Sequence, residues 1–249
     1  MTDGPIQDTS RLRADSARIT ALAAGDLDAT VPDCPGWTVR DLIVHLGGVH
    51  RWATEALRTG ANPGRLSTDP LPDVPTEADA LARWFGDGAI ALADELDSRD
   101  PDEPAWMPFD LPDPTVGVWR RRQTQETSVH RWDAERALGA PAPIGAELAA
   151  DGIDEYFEVI IPRKQARDGL ELPTSSLHVH CTDTAGEWTV EVADGRLVLH
   201  REHRKGDAAL RGTAEYLLLS LWGRSVPEGV VDVVGDAAAA DAWLSLGGS

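Results

Sequence analysis

Residues 126–135 read ETSVHRWDAE, and the reading of this stretch decides what kind of fold surrounds it. On an α-helix, Glu126 and His130 stand one turn apart on one face, with Cβ atoms roughly 5–6 Å from each other. A carboxylate and an imidazole so placed form either part of a solvated helix face or two ligands for one metal ion. The second reading requires a bundle, because a third ligand must come from another helix.

Working outward, the stretch lies in a segment from about Thr115 to Leu138 that reads as one helix. Upstream, 8–25 places Leu12, Ile19 and Leu22 at helical spacing and stops at Gly25. A Pro/Gly turn, VPDCPGW (31–37), leads into a second helix. Thr38 and Asp41 there have capping-box spacing, with aspartate replacing the usual Glu or Gln. Residues 60–75 are rich in Gly and Pro and read as a loop. A third helix opens near Thr76. Residues 99–114 form a long Pro-rich connection, a length that often serves as a lid. AELAADGIDEYFEVIIPRK (146–164) is expected to be a fifth helix.

Beyond about residue 170 the period changes from helical to alternating. SLHVHCT, EWTVEVA and RLVLHRE read as strands, the last two joined by Asp194-Gly195, a hairpin signal. TAEYLLLSLWGR reads as a buried helix, GVVDVVGD as a short strand and DAAAADAWLSLGG as a closing helix. The expectation is an α+β two-domain protein, with a helical domain over 1–165 and an α+β domain over 166–249.

Composition narrows the function classes. The 249 residues carry 42 acidic and 23 basic side chains, a net charge of −19. Such a surface repels phosphate backbones and anionic lipid, which argues against nucleic-acid and membrane partners. No apolar run approaches spanning length. The start MTDGPIQDTS lacks the pattern of a signal peptide, so a cytoplasmic protein is expected. Cys34 and Cys181 make no CxxC knuckle and read as two reduced buried thiols. Oligomeric state is left between a monomer and a small homo-oligomer.

His45 is the candidate third ligand. It follows Leu42 by three residues and sits beside the apolar stripe, where it is either a hydrogen-bonded core residue or a ligand. Should it converge with Glu126 and His130, the donor set is two imidazoles and a carboxylate with open positions. That is the pattern of a catalytic zinc, although nickel, manganese and iron also suit it. Asp133 reads as a supporting acceptor for His130 or as a surface acid. Arg120–Arg122 read as a solvated face or as a grip for a carboxylate. Cys34 is left outside the ligand set, and Trp37 and Trp52 read as packing residues.

VPDCPGWTVRDLIVHLGGVHRWA (31–53), taken with ETSVHRWDAE, resembles the mycothiol-dependent maleylpyruvate isomerase family of the wider DinB-like metalloenzymes. LRGTAEYLLLSLWGR (210–224) extends the likeness into the second domain. The resemblance implies a DinB-like four-helix bundle followed by a sterol-carrier-protein-like α+β domain. It implies His45, Glu126 and His130 as metal ligands and Arg224 as a functionally important arginine, where the alternative is a charge at a helix C-terminus. It also implies a divalent metal, zinc first, and mycothiol as cofactors of an isomerase or S-transferase. The partners would then be a low-molecular-weight thiol and a small electrophile such as maleylpyruvate. A hydrolase-like enzyme using metal-activated water, and a non-catalytic DinB-like binding or regulatory protein, remain the alternatives.

Overall fold

The computed structural model describes residues 6, 8–64, 73–109, 111–139 and 141–247. The chain divides into two compact units, Met1–Pro143 and Ile144–Ser249. Half of the 60–75 loop expected from sequence, residues 65–72, lies outside the described residues.

Among the described residues the first unit contributes four helices, α1 (Ser10–Leu22), α2 (Val39–Thr59), α3 (Ala78–Asp97) and α4 (Val116–Ala137). The Thr38–Asp41 capping box forms in full. Asp41 N donates to Thr38 Oγ1 at 3.3 Å, and Thr38 N donates to Asp41 Oδ2 at 2.8 Å. It satisfies two backbone donors at the start of the helix that carries His45. Leu42, Leu46, Ala53 and Leu57 share the buried stripe of α2. Each fully buried leucine contributes about 1.5–3 kcal/mol relative to exposure. The connection at 99–114 is not a free lid. Ala105 N bonds to Pro114 O and Val116 N to Glu103 O, while Met107 is buried in the core beside Trp119. Trp52 packs against Trp106 and Trp119, as a core residue should.

The α4 helix departs from expectation. Sequence reading offers Arg120–Arg122 a solvated face, yet Arg120 and Arg122 are buried, along with Gln123, Thr124, Gln125, Thr127, Ser128, Arg131, Asp133 and Glu135. Arg120 donates to Leu96 O at 3.0 Å and Arg122 to Glu126 Oε2 at 2.8 Å. The helix is buried through these polar contacts as well as through Val116, Trp119, Val129, Trp132 and Ala134.

The second unit holds α5 (Ala146–Glu155), α6 (Ile161–Asp168), α7 (Ala214–Leu221), α8 (Ala237–Leu244) and a five-stranded sheet. Its strands are β1 (Leu177–Cys181), β2 (Glu187–Ala193), β3 (Arg196–His200), β4 (Ala208–Gly212) and β5 (Val231–Gly235), in spatial order β3-β2-β1-β4-β5. Only the β1–β4 pair is parallel. Asp194 and Gly195 have φ of 50° and 74°, the two positive values a tight hairpin turn of the I′ kind requires. The expected single helix over 146–164 is interrupted by a π-turn at Tyr156–Ile160. Pro162 cannot donate an N–H to the ladder, and Ile161 N reaches back five residues to Tyr156 O. The compact units part at 143/144 rather than near 165. The reason is that α5 packs on α7 and Trp188 Nε1 donates to Asp154 Oδ1 at 2.8 Å, which binds 146–168 to the sheet. Among the described residues no helix is long and apolar enough to cross a membrane.

The α2 and α3 helices meet where Gly47 faces Trp84. A Cβ at Gly47 would overlap the Trp84 ring. That ring cannot swing aside easily, because Arg51 lies over it at 3.9 Å and donates to both Gly47 O and Trp84 O. Alanine would gain roughly 1 kcal/mol of helix propensity, but the collision costs more. Gly47→Ala is expected to lower stability by a net ~1–2 kcal/mol, read from the urea unfolding midpoint; an unchanged or raised midpoint would refute the close-approach account.

Candidate metal centre

The candidate site begins with the turn CPGW. Pro35 and Gly36 occupy its centre, Gly36 has φ of 81°, and Trp37 N donates to Cys34 O at 3.0 Å. Pro followed by a residue of positive φ is the type II pattern, for which glycine is the natural choice. The turn is pinned by Val31 N to Trp37 O at 2.9 Å. It delivers the Trp37 ring against His45 at 4.7 Å between centroids and against His130 at 6.1 Å. Trp37 is therefore a wall of the site as well as a packing residue.

His45 on α2 and the Glu126/His130 pair on α4 converge. One ligand atom from each lies within 4.8 Å of the others. Glu126 Oε1 is 3.7 Å from His45 Nε2 and 3.5 Å from His130 Nε2. The two imidazoles meet edge to face at 5.5 Å. Side-chain exposures of 35% for His45, 20% for Glu126 and 12% for His130 leave the shared space reachable from solvent. Arg224, the fourth residue expected to be functional, belongs to the second unit, just past α7. It is buried to 9% exposure and donates to Trp222 O at 2.8 Å.

Supporting groups orient the three. Arg122 donates to Glu126 Oε2 and leaves Oε1 facing the histidines. His130 Nδ1 lies 3.0 Å from Asp133 Oδ2, so Asp133 takes the supporting role open to it in the sequence. With the proton on Nδ1, the Nε2 lone pair is aimed at the shared space. Cys34, set aside in the sequence reading, is drawn in. Its Sγ donates to Asp133 Oδ2 at 3.8 Å, and Cys34, His130 and Asp133 form a second group of convergent ligand atoms. Nothing in the local spacing signals this, because Cys34 and Asp133 are brought together only by folding.

The electrostatics follow from burial and partners. Burial works to raise the Glu126 carboxyl, but hydrogen bonds with His130 and His45 and the charge of Arg122 hold it well below the usual carboxylate range. Burial works to lower His130, but hydrogen bonding to Asp133, Cys34 and Glu126 holds it well above the usual imidazole range. These partners favour the charged forms of both groups, and a metal bound at His130 Nε2 would compete with a proton there.

The class defined here is a helical unit presenting two imidazoles and a carboxylate at a common point, a donor set that could hold a metal ion, followed by an α+β unit. The model of the mycothiol maleylpyruvate isomerase N-terminal domain matches residues 10–135, and that of the C-terminal domain of the same family matches 147–242. The chain belongs to the mycothiol-dependent maleylpyruvate isomerase family. Two crystal structures share its fold. One is of a mycothiol-dependent maleylpyruvate isomerase, at TM-score 0.62 and 14% identity. The other is of a histidine-to-alanine mutant under the same enzyme name, at TM-score 0.63 and 12% identity. Each match covers 92% of both chains. No curated protein matches significantly.

Next to the site, His50 of α2 is fully buried and its Nε2 lies 3.0 Å from Thr127 Oγ1 on α4. Burial pushes it down to about 3, despite the opposing pull of Glu126. Unfolded, it titrates near 6.5. Between those values the unfolded chain binds more protons, so this contribution to stability is present above about pH 6.5 and is lost as pH falls toward 3. From pH 7.5 to 5.0 the wild type should lose ~2 kcal/mol more unfolding free energy than His50→Gln. Equal losses in urea titrations of the two proteins would exclude His50 as the acid-sensitive link.

Proposed function

We propose that this chain is a divalent-metal-dependent enzyme that uses mycothiol to act on a small electrophile, as an isomerase of the maleylpyruvate type or as an S-transferase. In this reading the first unit is a DinB-like bundle and the second a sterol-carrier-protein-like domain. The protein works in the cytoplasm as a monomer or small homo-oligomer. The observation that carries the proposal is the convergence of His45, Glu126 and His130, whose ligand atoms lie within 4.8 Å of one another. The donor set suits zinc, with positions left for a small ligand. Membership of the family supplies the thiol and the reaction class.

The chain's own residues would act as follows. His45 and His130 present Nε2 lone pairs, and Glu126 an ionised oxygen, to the same point. Asp133 holds the His130 proton on Nδ1, and Arg122 keeps Glu126 from turning away. Trp37 closes one side with an apolar ring. A divalent ion held there supplies Lewis acidity, which keeps a small thiol ionised at neutral pH. A thiol so ionised would supply a nucleophile for a carbon–carbon double bond conjugated to a carbonyl, the displaced electron pair moving onto the carbonyl oxygen; rotation about the former double bond and expulsion of the thiolate would give the isomer, whereas protonation of the adduct would leave the thiol on the product. Arg224 serves as a second functional residue, its guanidinium suited to a carboxylate of the substrate or thiol.

Protein purified without added metal or a histidine tag should contain close to one divalent ion per chain at this centre. His45→Ala/Glu126→Ala/His130→Ala should lose that ion together with all thiol-dependent turnover. Full turnover in the metal-free triple variant would overturn the reading. Asp133→Asn should retain the fold and weaken metal affinity about 10–100-fold, measured by chelator competition. Affinity equal to wild type would assign Asp133 a purely structural role.

A further inference from the structure

Four of the seven histidines, His178, His180, His200 and His203, fall within 26 residues of the second unit. Strand alternation decides where they point. His178 and His180 are two residues apart on β1 and share one face of the sheet. Glu187 on β2 is the direct cross-strand partner of His180, and Thr189 that of His178, so all four lie on that face. Leu177 and Val179, which flank His178, are fully buried on the other.

The segment after β3 folds back over this face. Thr189 Oγ1 accepts from Arg204 N at 3.3 Å and lies 3.1 Å from Arg204 O. This brings His203 edge-on to His178 at 4.7 Å between ring centroids. Three imidazole nitrogens then crowd a single oxygen. Glu187 Oε1 is 3.0 Å from His178 Nε2, 3.1 Å from His180 Nδ1 and 2.6 Å from His203 Nδ1. A carboxylate oxygen has two lone pairs, so three N–H donors exceed what it can accept well. His200 is not among them; it pairs with Glu191 at 3.0 Å.

We propose that His178, His180 and Glu187, closed by His203, form a second metal site, for a first-row divalent ion of the zinc class. The imidazole-rich set excludes calcium and magnesium, which take oxygen ligands. Ligand atoms of His178, His180 and Glu187 already lie within 4.8 Å of one another. A zinc tetrahedron with Zn–N of about 2.0–2.1 Å needs roughly 3.4 Å between ligands. The remaining closure falls to the solvent-exposed members. The side chains of His180 and His203 are 40% and 71% exposed, whereas His178 at 9% is the fixed anchor. Bound there, the ion would tie β1, β2 and the 201–206 segment together.

The test uses the full-length, tag-free chain stripped by chelator and titrated with zinc by calorimetry. Wild type should take up two equivalents, and His45→Ala/Glu126→Ala/His130→Ala one. Adding His178→Gln/His180→Gln to that variant should abolish uptake. Adding only His203→Gln, at an exposed position that does not endanger folding, should weaken the remaining site at least ~10-fold. If wild type and the triple variant both bind one equivalent, which His178→Gln/His180→Gln removes, the sheet site stands and the bundle reading falls. Zinc uptake by the triple variant that is absent, or undiminished by the His178/His180 and His203 changes, overturns this proposal.

Discussion

The first unit depends on the satisfaction of charge inside α4. Arg131, 1% exposed, is held between Glu135 at 2.9 Å and Asp15 at 3.4 Å, and donates to the carbonyls of Ala142 and Pro143. Asp15 accepts from Ser128 at 2.6 Å and from Arg11 at 2.7 Å, while Glu135 accepts from Arg18 at 2.6 Å. A buried ion stripped of its partner costs about 3–5 kcal/mol. The helix therefore tolerates its interior position only in the register that pairs all of these groups. That register also turns Glu126 and His130 toward His45. The network that makes α4 buriable is what aims the candidate ligands.

This dependence explains what could be read from the sequence. The cap at Thr38, the apolar stripe of α2 and the Asp194-Gly195 hairpin are local signals, and they are found where their spacing puts them. The spacing of Glu126 and His130 was legible for the same reason. The burial of α4 was not, because RRRQTQETS has no apolar period and its partners come from α1, α2 and α3. Cys34 and Asp133 likewise meet only through tertiary packing. The β4 strand, Ala208–Gly212, went unread because AALRG lacks β-branched residues; it is a strand because β1 and β5 bond it on both sides. The unit boundary was displaced because helical sequence around 146–168 looks like more bundle, whereas its contacts are with α7 and the sheet.

The two clusters of histidine and carboxylate show one donor chemistry reached by two backbone periods. In the bundle, one helical turn sets Glu126 under His130, and a second helix completes the set. In the sheet, the two-residue repeat sets His178 beside His180, and the neighbouring strand supplies Glu187. By itself HVH reads as an alternating strand, since alternation alone says that two side chains share a face and not what they face.

The edge strand β5 has a colloidal consequence. Val233 and Val234 are 46% and 59% exposed on a strand that, among the described residues, is paired on one side only. Such an edge is a template for pairing with another chain. Among the described residues β5 itself carries one acid, Asp232, opposed by Arg211 at 3.7 Å, so local charge offers the edge little protection. The global excess of 42 acids over 23 bases sets copies of the chain against one another electrostatically. That repulsion weakens with added salt and vanishes as acid titrates the carboxylates. Any pairing of copies through this edge would therefore respond to ionic strength and pH without a loss of fold.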